Sequence, residues 1–134
     1  MAQVAEPGNL KNDTSVPIAA IPTFIEHASA QVETIVPGVR PIPFGHIGDG
    51  NIHFNLSRPL GMAPARFVAH WPALVAAVEA VALQLGGSIS AEHGIGSAKR
   101  DALRHARSAV ELEMMRSLKR ALDPRGLMNL GKLV

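Results

Sequence analysis

The sequence predicts an α+β domain, with helices covering one face of a small antiparallel sheet. Three observations lead there. Residues 22–36 carry apolar side chains at helical spacing and stop at Pro37-Gly38. Residues 39–55 read as two strands about Gly48-Asp49-Gly50-Asn51, where Asp-Gly is the dipeptide of a two-residue type I′ turn. Two further helical patterns follow, the first ending at Gly86-Gly87 and the second at Asp123-Pro124.

Residues 1–10 are polar and contain Gly and Pro, as at a frayed end or at a boundary with something larger, so order is expected to begin near Lys11. Thr14 to Ile18 is short and partly β-branched, and Pro17 restricts it to an edge strand. The first helix places Phe24, Ile25, Ala28, Val32 and Ile35 on one face, with Pro22 in its first turn. From Arg66 to Leu85 an apolar face runs through Phe67, Leu74, Val78 and Val81, and Pro72 puts the firm start of that helix near Trp71. Ser88 to Ser90 reads as a short strand, Glu92 to Gly96 as a loop, and Ala109 to Leu122 as a helix with Val110, Met114, Leu118 and Leu122 in register. The order is therefore β, α, β, β, α, β and a closing α, with no internal repeat.

Composition narrows the chemistry. A chain of 134 residues, 47% hydrophobic and 18% charged, is one folding domain, and with 4% aromatic residues its core is aliphatic. The absence of Cys removes disulfides, thiolate metal sites and a cysteine nucleophile together, so a metal would sit on His and carboxylate. A formal charge of +2, with basic residues interleaved among acids, argues against a nucleic-acid partner. The N-terminal decapeptide has no basic segment leading into an apolar run, and the aliphatic stretch from Ala73 to Leu85 is too short to span a bilayer, so a cytoplasmic chain is expected.

With Asp49-Gly50 as a two-residue turn, His46 faces His53 across the hairpin, their Cβ atoms about 4.5 to 5.5 Å apart. Alternation then sends Ile47, Ile52, Phe54 and Leu56 to the core and His46, His53 and Asn55 to the other face. Two imidazoles on one face suit Zn²⁺ better than Mg²⁺, and Glu92, in Ser90-Ala91-Glu92-His93-Gly94, supplies a third ligand. A His₂Glu set leaves coordination positions open, the mark of a catalytic metal. His27, His70 and His105 stand alone and read as surface residues, and Asp49 reads as a turn residue. Gly94-Ile95-Gly96-Ser97-Ala98-Lys99 lacks the spacing of a phosphate loop.

Four segments, Lys11 to Pro17, FGHIGDGNIHFN (Phe44 to Asn55), GGSISAEHGIGSAKR (Gly86 to Arg100) and LDPRGLMNLGK (Leu122 to Lys132), resemble the C-terminal domain of FAD-linked oxidases. That group contains D-lactate dehydrogenase, the glycolate oxidase flavin subunit and D-2-hydroxyglutarate dehydrogenase. The segments come in the family's order and span nearly the whole chain from Lys11. The resemblance implies a ferredoxin-like domain, residues 11–134, that lies over a flavin held mainly by a separate FAD-binding domain. On that reading the chain is a fragment of a longer enzyme and inactive alone.

The resemblance also implies roles. His46, His53 and Glu92 would bind a divalent metal, zinc in type; His93 would be the base beside the substrate hydroxyl; Lys11 and Asn55 would contact substrate, as would His93 itself. Asn129 would lie near the flavin, although Leu130 stands where the family pattern M-N-P-G-K has proline. The implied reaction is oxidation of a D-2-hydroxy acid such as D-lactate, glycolate or D-2-hydroxyglutarate to the 2-oxo acid. Its partners would be that acid, the FAD-binding domain and an electron acceptor of unstated identity, through which the complete enzyme would meet a membrane if it meets one. Two other readings stay open: a stand-alone metal-binding or interaction domain, and, ranked last, a metal-dependent hydrolase. A face that has lost its flavin domain would expose apolar surface and favour homo-oligomers.

Overall fold

In the computed structural model, which describes residues 9–133, the segment Asn51–Ser57 (β3) is flanked by two antiparallel neighbours, Asp13–Ser15 (β1) and Arg40–His46 (β2). The chain divides between Glu92 and His93 into two compact units. All three strands belong to the first. Ile52, Phe54 and Leu56 of β3 are buried, as period-two alternation requires of a strand with one face on a core. Pro41 and Pro43 are tolerated in β2 because it is an edge, and their spacing by two points both missing N–H groups away from β3.

Between β1 and β2 runs the helix Ile21–Ile35 (α1), with Pro22 in its first turn and Phe24, Ala28 and Val32 fully buried. Phe24 meets Phe54 edge-on, ring centroids 5.5 Å apart, which fixes α1 to the sheet. The predicted second helix is two: Pro64–Val68 (α2) and Trp71–Gln84 (α3). The break falls at Ala69-His70 because Pro72, lacking an N–H, is accommodated only in a first turn. Phe67, Leu74 and Val78 complete the core with α1 and β3.

The α+β class holds, and Ser88, bridged to Ser15, extends the sheet to the order Ser88, β1, β3, β2. This is the strand order of a ferredoxin-like sheet, with the expected strand Ser88 to Ser90 reduced to one bridge. Leu10, next to Lys11, exchanges two 2.9 Å hydrogen bonds with Leu56. Residues 1–8 of the predicted N-terminal segment lie outside the described residues.

The hairpin differs from expectation. A type I′ turn needs positive φ at both Asp49 and Gly50, yet only Gly50 has it, at 74°. Ile47–Asp49 instead forms a single 3₁₀ turn, Asp49 Oδ1 accepts a 3.2 Å bond from Asn51 N, and the loop has four residues. The register slips by two: His46 pairs with Asn51, and Phe44, not His46, faces His53. Ile47, expected in the core, joins the loop and is 67% exposed.

The second unit carries Arg100–Ala106 (α4), which the sequence reading left unassigned, and Ala109–Leu122 (α5). Ser108 starts α5 with a reciprocal cap: its hydroxyl accepts from Glu111 N at 3.2 Å, and the Glu111 carboxylate accepts from Ser108 N at 2.9 Å. The apolar stripe of α5 is bare, since Val110, Met114, Leu118 and Leu122 are exposed and Leu112 is its buried residue. Exposed apolar surface is therefore found on this helix, as well as at Phe44 of β2 and Ile47 of the hairpin loop. Among the described residues no helix is long and apolar enough to cross a membrane.

Two outcomes test this account. A Cβ on Gly50 would lie 2.1 Å from Val16 O at a left-handed backbone, so Gly50→Ala is expected to lower stability by at least ~2 kcal/mol in a denaturant titration. Asp123, which closes α5, pairs with Lys119 and accepts from Leu127 N and Met128 N, each at 2.9 Å; these contacts hold its carboxyl down to about 2 from 3.8. A carboxyl depressed on folding stabilises above its unfolded pKa and loses that contribution as pH falls through its folded one. Protection of the Leu127 and Met128 amides is thus expected to be constant above about pH 4 and to decline toward pH 2.

Candidate functional site

Residues directly opposite in an antiparallel ladder project to the same face. The pairs Ser15–Asn51–His46 and Asp13–His53–Phe44 form two rows, one across each position of β3. Leu10 pairs with Leu56 in the register of β1, so Lys11 stands opposite Asn55, with Ile42 on the other side. The sheet face away from α1 is thus a grid three strands wide on which Lys11, Asp13, His53 and Asn55 are neighbours.

Asp13, 3% exposed, organises one corner of the grid. Its Oδ2 accepts from Ser90 Oγ at 3.1 Å, Ala91 N at 3.1 Å and Glu92 N at 3.2 Å. The bridge of Ser88 to Ser15 brings this segment alongside β1, and the carboxylate then ties it down. Glu92 is turned onto the sheet as a result. Its Oε1 lies 3.1 Å from His53 Nε2, and its Oε2 accepts from Asn51 Nδ2 at 3.0 Å. The other ring nitrogen of His53, Nδ1, lies 3.7 Å from Asp13 Oδ1, and the ring packs on Phe44 with centroids 5.1 Å apart.

Asp13, His53 and Glu92 each present a ligand atom within 4.8 Å of the others, a donor set of one imidazole and two carboxylates that fits a divalent cation. The His53 side chain is largely buried and that of Glu92 half exposed, so such a site would be open to solvent on the Glu92 side. Phe44 occupies the place beside His53 that the two-residue turn would have given His46. His46 remains on the same face, in the next row and exposed. Diagonal neighbours of this kind stand about 7 to 8 Å apart at Cα, within reach of long side chains.

Lys11 and Asn55 are brought together, Lys11 exposed and Asn55 buried. His93 follows Glu92 as the exposed first residue of the second unit. Asn129, also in that unit, sits in a turn at φ 47°, a conformation Asn tolerates, and lines a groove of about 510 Å³ with Gly96, Leu118 and Met128. Sequence reasoning missed Asp13 and Asn51. Parity held the signal for both, since Asp13 lies two residues from Lys11 and Asn51 two from His53.

Comparison with known proteins then adds what geometry cannot. Residues 1–133 match the family described as FAD linked oxidases, C-terminal domain. The chain is 41% identical over 123 residues to a D-2-hydroxyglutarate dehydrogenase of Stutzerimonas stutzeri (strain A1501), covering 92% of this chain and 26% of that protein. A D-2-hydroxyglutarate dehydrogenase of Xanthomonas citri pv. viticola is 43% identical over 123 residues, with the same coverage. The mitochondrial D-2-hydroxyglutarate dehydrogenase of Danio rerio is 32% identical over 124 residues, covering 89% of this chain and 21% of that protein. The chain therefore spans about a quarter of the length of the curated relatives it matches. Because the family match takes in the whole described sheet and both units, the chain belongs to the C-terminal domain family of FAD-linked oxidases.

Proposed function

We propose that this chain is the substrate-facing, cation-binding portion of a flavin-dependent dehydrogenase that oxidises a D-2-hydroxy acid of the D-2-hydroxyglutarate type to the 2-oxo acid. The observation that carries the reading is the identity of 41–43% over 92% of the chain to two D-2-hydroxyglutarate dehydrogenases. Support comes from the placing of Lys11, His53 and Asn55 on one sheet face with Glu92 turned toward it.

Oxidation at C2 of such an acid removes a hydride from carbon and a proton from the hydroxyl. A divalent cation held by His46, His53 and Glu92 would lower the pKa of a chelated hydroxyl and fix its orientation. The flavin, as hydride acceptor, belongs to the part of the longer protein outside the matched quarter, with Asn129 as this chain's residue toward it. Lys11 offsets the charge of the substrate carboxylate, and its neighbour Asn55 hydrogen-bonds the same end of the acid. His93 takes the hydroxyl proton as general base.

Two measurements test the reading. Elemental analysis of the purified chain is expected to find one equivalent of Zn or Mn, lost in His53→Ala and in His46→Ala while the fold is kept. Retention in His46→Ala would make Asp13 the third ligand, and no metal in the parent chain would remove the cation from the proposal. In the complete flavoprotein, D-2-hydroxyglutarate is expected to reduce the flavin faster than D-lactate or glycolate, and His93→Ala to slow that step by ~10² to 10⁴. Failure of all three acids to reduce the flavin would end the dehydrogenase assignment.

A further inference from the structure

Asn51 stands in β3 at 5% exposure, although Asn is depleted in strands and its amide is costly to bury. An Asn beside a turn ordinarily serves the turn, by bonding the local backbone. Here Asp49 does that: its Oδ1 accepts from Asn51 N at 3.2 Å. The Asn51 side chain instead reaches a residue 41 positions along the chain, where Nδ2 donates to Glu92 Oε2 at 3.0 Å. An ionised carboxylate only accepts, so this contact fixes which end of the amide faces Glu92. The other end, Oδ1, is buried and has no hydrogen-bond partner among the described residues. An unpaired buried acceptor works against stability, so the amide is there for its N–H and not for its carbonyl.

The two oxygens of Glu92 are thereby divided, Oε2 on Asn51 and Oε1 at 3.1 Å from His53 Nε2. We propose, resting on the cation-site reading above, that Asn51 is a positioning residue of that site: its N–H holds Oε2, so that Oε1 is the oxygen presented to a cation beside His53. With His53 Nε2 engaged by a cation, the Asn51 bond is what keeps the half-exposed carboxylate over the sheet. Residues that hydrogen-bond a ligating carboxylate set its orientation in this way. A carboxylate with one oxygen so engaged offers one ligand atom and not two, which keeps coordination positions open for the hydroxyl and carboxylate of a 2-hydroxy acid.

The contact is tested on the metal-free chain and its purpose by titration with Zn²⁺. By NMR, the Asn51 side-chain amide protons are expected to exchange with water roughly tenfold faster or more in Glu92→Ala than in the parent; equal rates overturn the proposal. Asn51→Leu has the branched shape of Asn with neither donor nor acceptor. Its metal-free thermal midpoint is expected to lie within about 4 °C of the parent's or above it, while its Zn²⁺ affinity falls by about 10- to 100-fold. Asn51→Ala, which carries the affinity measurement should Leu prevent folding, is expected to show the same loss. Unchanged affinity overturns the proposal. A loss of affinity accompanied in both variants by a lower metal-free midpoint assigns Asn51 to the fold and overturns it as well. A parent chain that takes up no Zn²⁺ overturns the cation reading itself, an outcome distinct from a parent that binds Zn²⁺ no more tightly than Asn51→Leu.

Discussion

Everything in the first unit hangs on the alternation of β3, which lies between β1 and β2. Its even-numbered residues Ile52, Phe54 and Leu56 are locked into the core, and Phe54 is held there by Phe24 of α1. A slip of one residue would send that whole set to the opposite face, at a cost of roughly 1.5–3 kcal/mol for each large side chain exposed. The odd-numbered residues Asn51, His53 and Asn55 therefore have no choice of face. The candidate site on this domain is built where the core forbids anything else to point.

That constraint explains which expectations survive a wrong turn. Asp49-Gly50 predicts a two-residue hairpin, and the loop has four residues, yet the error moves the register by two and not by one. An even slip preserves the face of every side chain, so His46, His53 and Asn55 remain together while their row partners change. The loop length itself was not legible locally. The N–H of Val16 donates to Gly50 O at 3.0 Å, a contact between the loop and the segment after β1 that sequence spacing cannot express. The same limit hid Asp13. Its three bonds reach 77 to 79 residues along the chain, and only the bridge of Ser88 to Ser15 brings the two segments side by side.

Helical periodicity was legible wherever it was long. Ile21–Ile35 and Ala109–Leu122 match their predicted spans within a residue, because capping and termination signals flank both. Periodicity identified α5 as a helix but did not say what covers its stripe. Val110, Met114, Leu118 and Leu122 are 61–77% exposed, so the pattern that ordinarily marks a core face here marks a surface. Arg100–Ala106 was missed for the opposite reason: it has seven residues and one buried side chain, Leu103, too short a stretch for a period to show.

The two carboxylates of the candidate site divide along the same line between core and surface. Asp13 sits in the sheet and is buried, with three donors on one oxygen, so its position is set by the fold itself. Glu92 sits beyond the last bridge, with a half-exposed side chain held by Asn51 and His53, so its position is set by Asp13 and adjustable by what it binds. Were a cation bound there, such a pairing would combine fixed geometry in the supporting residues with an open side for exchange. A site made only of sheet residues would be rigid and closed, and one made only of loop residues would have to be ordered by the cation itself. The arrangement on β1, β3 and the segment after Ser88 lies between these, and the buried carboxylate is what makes that intermediate stable.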